Sequence, residues 1–119
     1  AEANVAFMVL DRPNPVTGNR IEGRPLNMKF SSMVGKFPIP YIYGLTCGEV
    51  ARMINGEGWL ANNIKCKLTV IPMRGYDRDM WFDETGLPWV LTSPHVPHAA
   101  LSRCPANPAE SDSPSEGPS

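Results

Sequence analysis

A chain of 119 residues is at most one domain's worth, and with 19% charged residues and a formal net charge of −1 it carries no basic footprint for DNA, RNA or anionic membrane. Thirteen Pro and ten Gly make up roughly a fifth of the residues, close to twice the ordinary share, which predicts long loops between few regular elements. There is no run of about 18 apolar residues to span a membrane. Cys47, Cys66 and Cys104 are odd in number and lack C-x-x-C spacing, so they suggest neither a disulfide framework nor a zinc ribbon. They read as buried or incidental thiols, with one bridge and a spare thiol as the alternative.

The first residues, Ala1-Glu2-Ala3-Asn4, show neither an initiator Met nor a basic-then-apolar leader pattern, and the chain reads as if cut from something longer. Val5 to Leu10 is a short apolar run of the kind that forms a strand buried on both faces of a parallel sheet. Asp11-Arg12-Pro13-Asn14-Pro15 forces the chain out of that strand. In open α/β sheets ligands sit just past the carboxyl ends of strands, so Asp11, Arg12 and Asn14 stand where chemistry usually happens. The alternative is a turn whose Asp and Asn bond their own backbone.

Val16 to Lys29 is loop-like, and Phe37 to Gly44, with Pro38 and Pro40, must be extended because a residue before proline avoids the helical region. The clearest helix is predicted over 47–55. Thr46 and Glu49 form a capping box ahead of it, and Cys47, Val50, Met53 and Ile54 give it one apolar face. Asn55-Gly56 is the expected end. Glu49 is thereby assigned to capping rather than catalysis. Leu68 to Met73 is the second predicted strand, with Pro72 near its exit. An irregular stretch from Arg74 to Trp89 follows, rich in aromatics and charges, and long loops of that kind are more often functional than not. Past Leu101 no Val, Ile, Leu or aromatic residue occurs, and disorder is expected from about Ser102.

Glycosidases employ a pair of carboxylates about the bond they cleave. The acidic candidates are Asp11, Glu22, Asp77, Asp79, Asp83, Glu84, Glu110 and Glu116, and spacing alone does not choose among them. Trp81 and Trp89 are candidates for stacking on sugar faces, whereas Trp59, just after the predicted helix end, reads as packing. His95 and His98 are separated by Pro97, which spoils a shared helix face, and Asp77-Arg78-Asp79 lacks the further ligands of a calcium loop. No metal site and no phosphate cradle is assigned.

Several segments, in order, resemble the NamZ-type exo-β-N-acetylmuramidases. The most distinctive is Val9-Leu10-Asp11-Arg12-Pro13-Asn14-Pro15. It is followed by Ile21-Glu22-Gly23, Phe37-Pro38-Ile39-Pro40, Gly44 to Ala51, Leu68 to Met73, and Met80 to Val90. The tail keeps the family's register in Pro105-Ala106, Glu110-Ser111 and Ser115 to Ser119. Ala106, Ser111 and Ser119 replace glycines there and Pro118 replaces an arginine. Those changes remove left-handed backbone options and a bidentate cation, so the tail is expected to be degenerate.

The resemblance implies an α/β fold. Residues 1–15 would end a Rossmann-like subdomain, with one buried strand retained. Residues 16–101 would carry cleft loops, the helix over 47–55 and the strand over 68–73 in a smaller auxiliary α/β region, and 102–119 would be a disordered or degenerate tail. The implied activity is release of N-acetylmuramic acid from the non-reducing ends of peptidoglycan fragments, in the periplasm or outside the cell, with no cofactor. The family's catalytic glutamate lies upstream of the Asp-Arg-Pro-Asn-Pro motif, so the catalytic residues are not assigned within this chain. Substrate binding is expected from Asp11, Arg12, Asn14, Glu22, Trp81, Trp89, Glu110 and Glu116, with Arg12 gripping the lactyl carboxylate. The rival reading is a non-catalytic sugar-binding or truncated module.

Overall fold

The computed structural model describes residues 2–91. Two strands, β1 (Phe7–Leu10) and β2 (Leu68–Ile71), pair in parallel with Phe7 opposite Leu68 and Leu10 opposite Ile71. The ladder is closed at its two ends by Phe7 N–H donating to the Lys67 carbonyl (2.9 Å) and Asp11 N–H to that of Ile71 (3.0 Å). Parallel strands cannot be joined by a tight turn and need a crossover. Here the crossover includes one helix, α1 (Cys47–Glu57), which packs on both strands. The result is a small mixed α/β unit in which three short 3-10 turns, at Met28–Phe30, Ala61–Asn63 and Phe82–Thr85, punctuate long loops.

The helix and the second strand start where the sequence predicts and differ in where they stop, whereas the first strand ends as predicted and starts two residues late. β1 is shorter than the apolar run from Val5, and β2 ends at Ile71 rather than Met73, since Pro72 has no N–H to continue a ladder. The helix runs two residues past the expected Asn55, to Glu57. Gly56 stays helical, and Gly58 takes the left-handed conformation (φ 70°) and returns its N–H to the Ile54 carbonyl. Two features let the helix run on. Lys65 donates its ammonium to the Asn55 and Gly56 carbonyls (2.6 Å each), satisfying last-turn acceptors with a cation at the negative end of the helix dipole. Asn55 does not break the helix; its amide donates to the Cys66 carbonyl (3.0 Å) and accepts from Cys66 N–H (2.7 Å). That pair ties α1 to the segment feeding β2.

The expectation of a strand buried on both faces is corrected here. Phe7, Met8 and Leu10 are each about 60% exposed (59%, 63% and 62%), and Val9 alone in β1 is half-buried. A two-stranded sheet with one helix on it has nothing to cover its other face or its outer edge. No apolar residue among the described ones is fully buried. The buried side chains are Pro13 and the polar Asn14, Thr17 and Thr46, all beside the carboxyl end of β1. Phe37 stacks on Trp59 (centroids 5.9 Å apart), the packing role expected of that tryptophan. The extended Phe37 to Gly44 segment is held by an antiparallel bridge between Ile42 and Glu22.

Candidate functional site at the carboxyl ends of the strands

Asp11 is the first residue past β1, and it points into the start of α1. Its Oδ1 accepts from Gly48 N–H (2.7 Å), from its neighbour Arg12 N–H (3.0 Å) and from the Cys47 thiol (3.3 Å). Its Oδ2 accepts from the Thr46 hydroxyl (2.8 Å). Thr46 is at once the helix cap, accepting from Glu49 N–H (3.2 Å), while Glu49 takes the Thr46 N–H in return (2.9 Å). The capping box read from the sequence is therefore complete, and a carboxylate from a distant strand end sits beside it. An anion at a helix N-terminus also meets the positive end of the dipole. Burial pushes the Asp11 carboxyl up, but the Gly48, Thr46, Cys47 and Arg12 donors outweigh it, so its pKa lies below the ordinary carboxylate value. The same pairing holds the Cys47 thiol up, through burial first and then through the hydrogen bond and charge of Asp11. Cys47 is thus not an activated nucleophile.

Arg78, from the loop after β2, secures the rest of this end. Its guanidinium donates to the Gly44 (2.8 Å) and Gly18 (3.3 Å) carbonyls and pairs with Glu49. Its own carbonyl accepts from Gly18 N–H (2.8 Å) and the Thr17 hydroxyl (3.0 Å). Three loops thus meet at one arginine. Glycines permit the approach: a Cβ on Gly18 would lie 2.4 Å from Arg78 Cγ, and one on Gly48 would lie 2.6 Å from Val70 Cγ1 and 2.7 Å from Asp11 Cγ. Asn14 is drawn into the same scaffold, donating to the Leu45 carbonyl (2.8 Å) and accepting from Val16 N–H (2.9 Å).

Over this scaffold the loops after β1 and β2 enclose a cavity of about 280 Å³, at the small end of ligand clefts. Asp11, Arg12, Arg74 and Tyr76 line it, with Thr85 and Leu87 from the aromatic-rich loop on one side. Burial pushes the Tyr76 phenol up, with the Asn14 backbone N–H pulling the other way. That N–H does not reach hydrogen-bonding geometry, and the buried Tyr76 hydroxyl has no protein partner. A second cavity, of about 330 Å³, lies under α1 and is lined by Phe7, Phe37, Ala51, Ile54, Leu60 and Leu68 among others; its walls carry no titratable pair.

Residues 1–100 match the family described as exo-β-N-acetylmuramidase NamZ, N-terminal. The chain belongs to the NamZ family. It is 48% identical over 96 residues to the peptidoglycan β-N-acetylmuramidase NamZ of Bacillus subtilis (strain 168), an alignment covering 81% of this chain and 22% of that protein. Two crystal structures of DUF1343 family proteins from Bacteroides fragilis NCTC 9343 share its fold. One has a TM-score of 0.81 at 49% identity, covering 86% of this chain and 26% of that one. The other has a TM-score of 0.65 at 44% identity, covering 69% and 23%. The chain thus spans about a quarter of the length of these relatives.

Set against this NamZ framework, the expected binding residues fall into four groups. Asp11 and Arg12 line the strand-end cavity. Asn14 stands beside it, with both ends of its amide engaged by backbone. Glu22 pairs with Arg20 and does not line that cavity. Trp81 and Trp89 do not line it either; Trp89 meets Phe82 edge-on at 5.1 Å, and the loop between the two tryptophans reaches the cavity through Thr85 and Leu87. Glu110 and Glu116 lie outside the described residues, as do His95, His98 and Cys104. Cys47 and Cys66 are free thiols. Among the described residues no group of three metal-ligating side chains occurs, and no helix is long and apolar enough to cross a membrane. Sequence reasoning did not single out Arg74 or Tyr76 by role, nor Arg78 as a tie between loops. The one local signal was their placement in the charged stretch just past β2.

Proposed function

We propose that this chain forms one wall of the substrate cleft of a peptidoglycan-directed exo-β-N-acetylmuramidase, binding N-acetylmuramic acid at the non-reducing end rather than supplying the proton chemistry. The observation that carries the reading is the cavity at the shared carboxyl ends of two parallel strands, with Asp11 and Arg12 on its wall, in a chain nearly half identical to a protein named as a peptidoglycan β-N-acetylmuramidase. In an open α/β sheet that is where ligands bind. We infer further that β1 belongs to a Rossmann-like subdomain and that α1 and β2 go with it rather than with a smaller auxiliary region, because β2 pairs with β1 and α1 packs on both strands. Because peptidoglycan lies outside the cytoplasmic membrane, we place the working enzyme in the periplasm or outside the cell.

The chemistry of Asp11 favours binding over catalysis. A glycosidase acid needs a raised pKa so that it holds a proton at working pH. Asp11 has a lowered one, and its oxygens already accept four hydrogen bonds. Among the described residues no second carboxylate lines the cavity. The test is hydrolysis of a chromogenic β-N-acetylmuramide by the purified chain, with its helical circular dichroism recorded on the same sample. Saturable binding of N-acetylmuramic acid without product release is the expected result. Product release would locate the catalytic carboxylates inside this chain and overturn the binding-wall reading.

A further inference from the structure

We propose that Arg12 and Arg74 together form a carboxylate subsite, and that Arg74 is a residue that lets the cleft tell N-acetylmuramic acid from N-acetylglucosamine. This rests on the functional reading above. The two sugars differ in one group, the lactyl ether on the 3-oxygen of muramic acid, which ends in a carboxylate. A site that selects the first must offer something to that anion.

The strand-end cavity offers two cations from two different loops. Arg12 follows β1 and Arg74 follows β2, and because the strands run parallel and in register, both loops leave the sheet at the same end. Both side chains line the cavity. Both residues are exposed, and among the described residues neither guanidinium is paired with a carboxylate, in contrast to Arg20 and Arg78, which pair with Glu22 and Glu49. Two uncompensated guanidinium groups on one small cavity favour an anion there, and each can meet a carboxylate as a planar two-point donor.

Asp11 also lines this cavity and would oppose an anion. Its charge, however, is turned to α1, where the Gly48 N–H, the Thr46 hydroxyl, the Arg12 N–H and the Cys47 thiol take up its oxygens. Tyr76 lines the same wall and brings no charge that would oppose an anion. The aliphatic neighbours Leu87 and Pro13 suit the methyl group of the lactyl arm.

The experiment is a pair of calorimetric titrations of the full chain, with N-acetylmuramic acid and with N-acetylglucosamine, repeated for Arg74→Gln and Arg74→Lys. The native chain is expected to prefer the acidic sugar. Arg74→Gln should weaken N-acetylmuramic acid about tenfold and leave N-acetylglucosamine unchanged, because a charge-assisted bidentate contact is lost and nothing else is. Arg74→Lys should restore part of the preference, since the charge returns without the fork. An unchanged ratio of affinities in Arg74→Gln, with circular dichroism showing the fold intact, overturns the subsite while leaving the functional reading standing. A native chain that is folded yet binds neither sugar overturns the functional reading, and the subsite falls with it.

Discussion

Two regions of this molecule are built on opposite principles. Around the end of β1, Asp11, Thr46, Gly48, Glu49 and Arg78 interlock through hydrogen bonds and an ion pair that join segments tens of residues apart. From about residue 27 to residue 36 the chain is a loop whose large apolar side chains face outward: Phe30 is 74% exposed, and Met33 and Val34 are 95% exposed. That loop is organised by short-range contacts, such as Asn27 accepting from Lys29 N–H (3.1 Å) and Gly35 N–H donating to the Ser32 hydroxyl (3.2 Å). With no large apolar side chain buried among those described and, of apolar residues, only Pro13 buried at the strand end, hydrophobic burial is not the main thing that fixes that end. Polar satisfaction does that. The candidate site therefore sits directly on the interlocked polar cluster, as a preorganised site requires.

The comparison is broken most severely at Gly48. A methyl group there would lie 2.6 Å from Val70 Cγ1 and 2.7 Å from Asp11 Cγ, so either β2 or the carboxylate must move away from α1. Gly48→Ala is expected to lower the midpoint of urea unfolding by the equivalent of about 1–3 kcal/mol, the usual cost of overpacking. An unchanged midpoint would mean that helix and strand are not held against each other as tightly as the hydrogen bonds imply.

Arg78 comes next. Arg78→Ala strips partners from the Gly44 and Gly18 carbonyls and from Glu49, and is expected to cost about 1–2 kcal/mol. The side chain is nearly half exposed, so water replaces part of what is lost and the ion pair itself contributes little. Arg78→Lys should recover only a fraction, because one ammonium cannot span the carbonyls and the carboxylate as the planar fork does. Full recovery by lysine would reduce the role of Arg78 to that of a charge.

Asp11 supplies a smaller effect that depends on pH. Its folded-state pKa is depressed, so its contribution to stability is fully present above the ordinary carboxylate value and is lost as pH falls from there through the lowered value. The window lies below about pH 4. Asp11→Asn should remove this component of acid sensitivity while lowering stability at neutral pH by about 1 kcal/mol, as for the loss of a helix cap. Parallel urea midpoints at pH 7 and pH 3 for both proteins check it, and equal acid losses in the two would show that other carboxylates govern that range. The same substitution removes the anion that helps hold the Cys47 thiol up and leaves only a neutral amide oxygen as its acceptor. Alkylation of Cys47 by iodoacetamide at neutral pH should then run several-fold faster in Asp11→Asn.

How much of this was legible in the sequence follows the range of each contact. Thr46 and Glu49 lie three apart, and their capping box could be read because the motif is local and helical geometry fixes it. The strand-end placement of Asp11 and Arg12 was legible from the apolar run and the prolines after it. What Asp11 actually holds was not: its acceptor role reaches residues 46 to 48, and spacing alone carries no record of a contact made across a parallel crossover. Arg78 meets Gly18, 60 positions away, for the same reason. Asn55 was misread because Asn next to Gly is a common helix ending, and its amide is held by Cys66 and the carbonyls by Lys65, both beyond any helical window. The exposed faces of β1 were also hidden. An apolar run states what a strand can bury, and the number of neighbours it finds decides what it does bury.

The smallest effect tests the other side of the comparison. If order in this chain comes from the polar cluster and not from the loop's apolar side chains, then removing those side chains must change almost nothing. Met33→Ser and Val34→Ser together delete two residues that are 95% exposed, and no hydrogen bond of the loop uses their side chains. Surface substitutions of this kind stay within about 0.5 kcal/mol, so the double variant is expected to unfold at the native urea midpoint and to bind N-acetylmuramic acid with native affinity. The slope of the transition is the more discerning reading, because it reports surface exposed on unfolding and two side chains already in water contribute nothing to it. A lowered midpoint with a reduced slope would show that Met33 and Val34 are covered in solution. The loop would then share in holding the fold, and the contrast between the two regions would disappear.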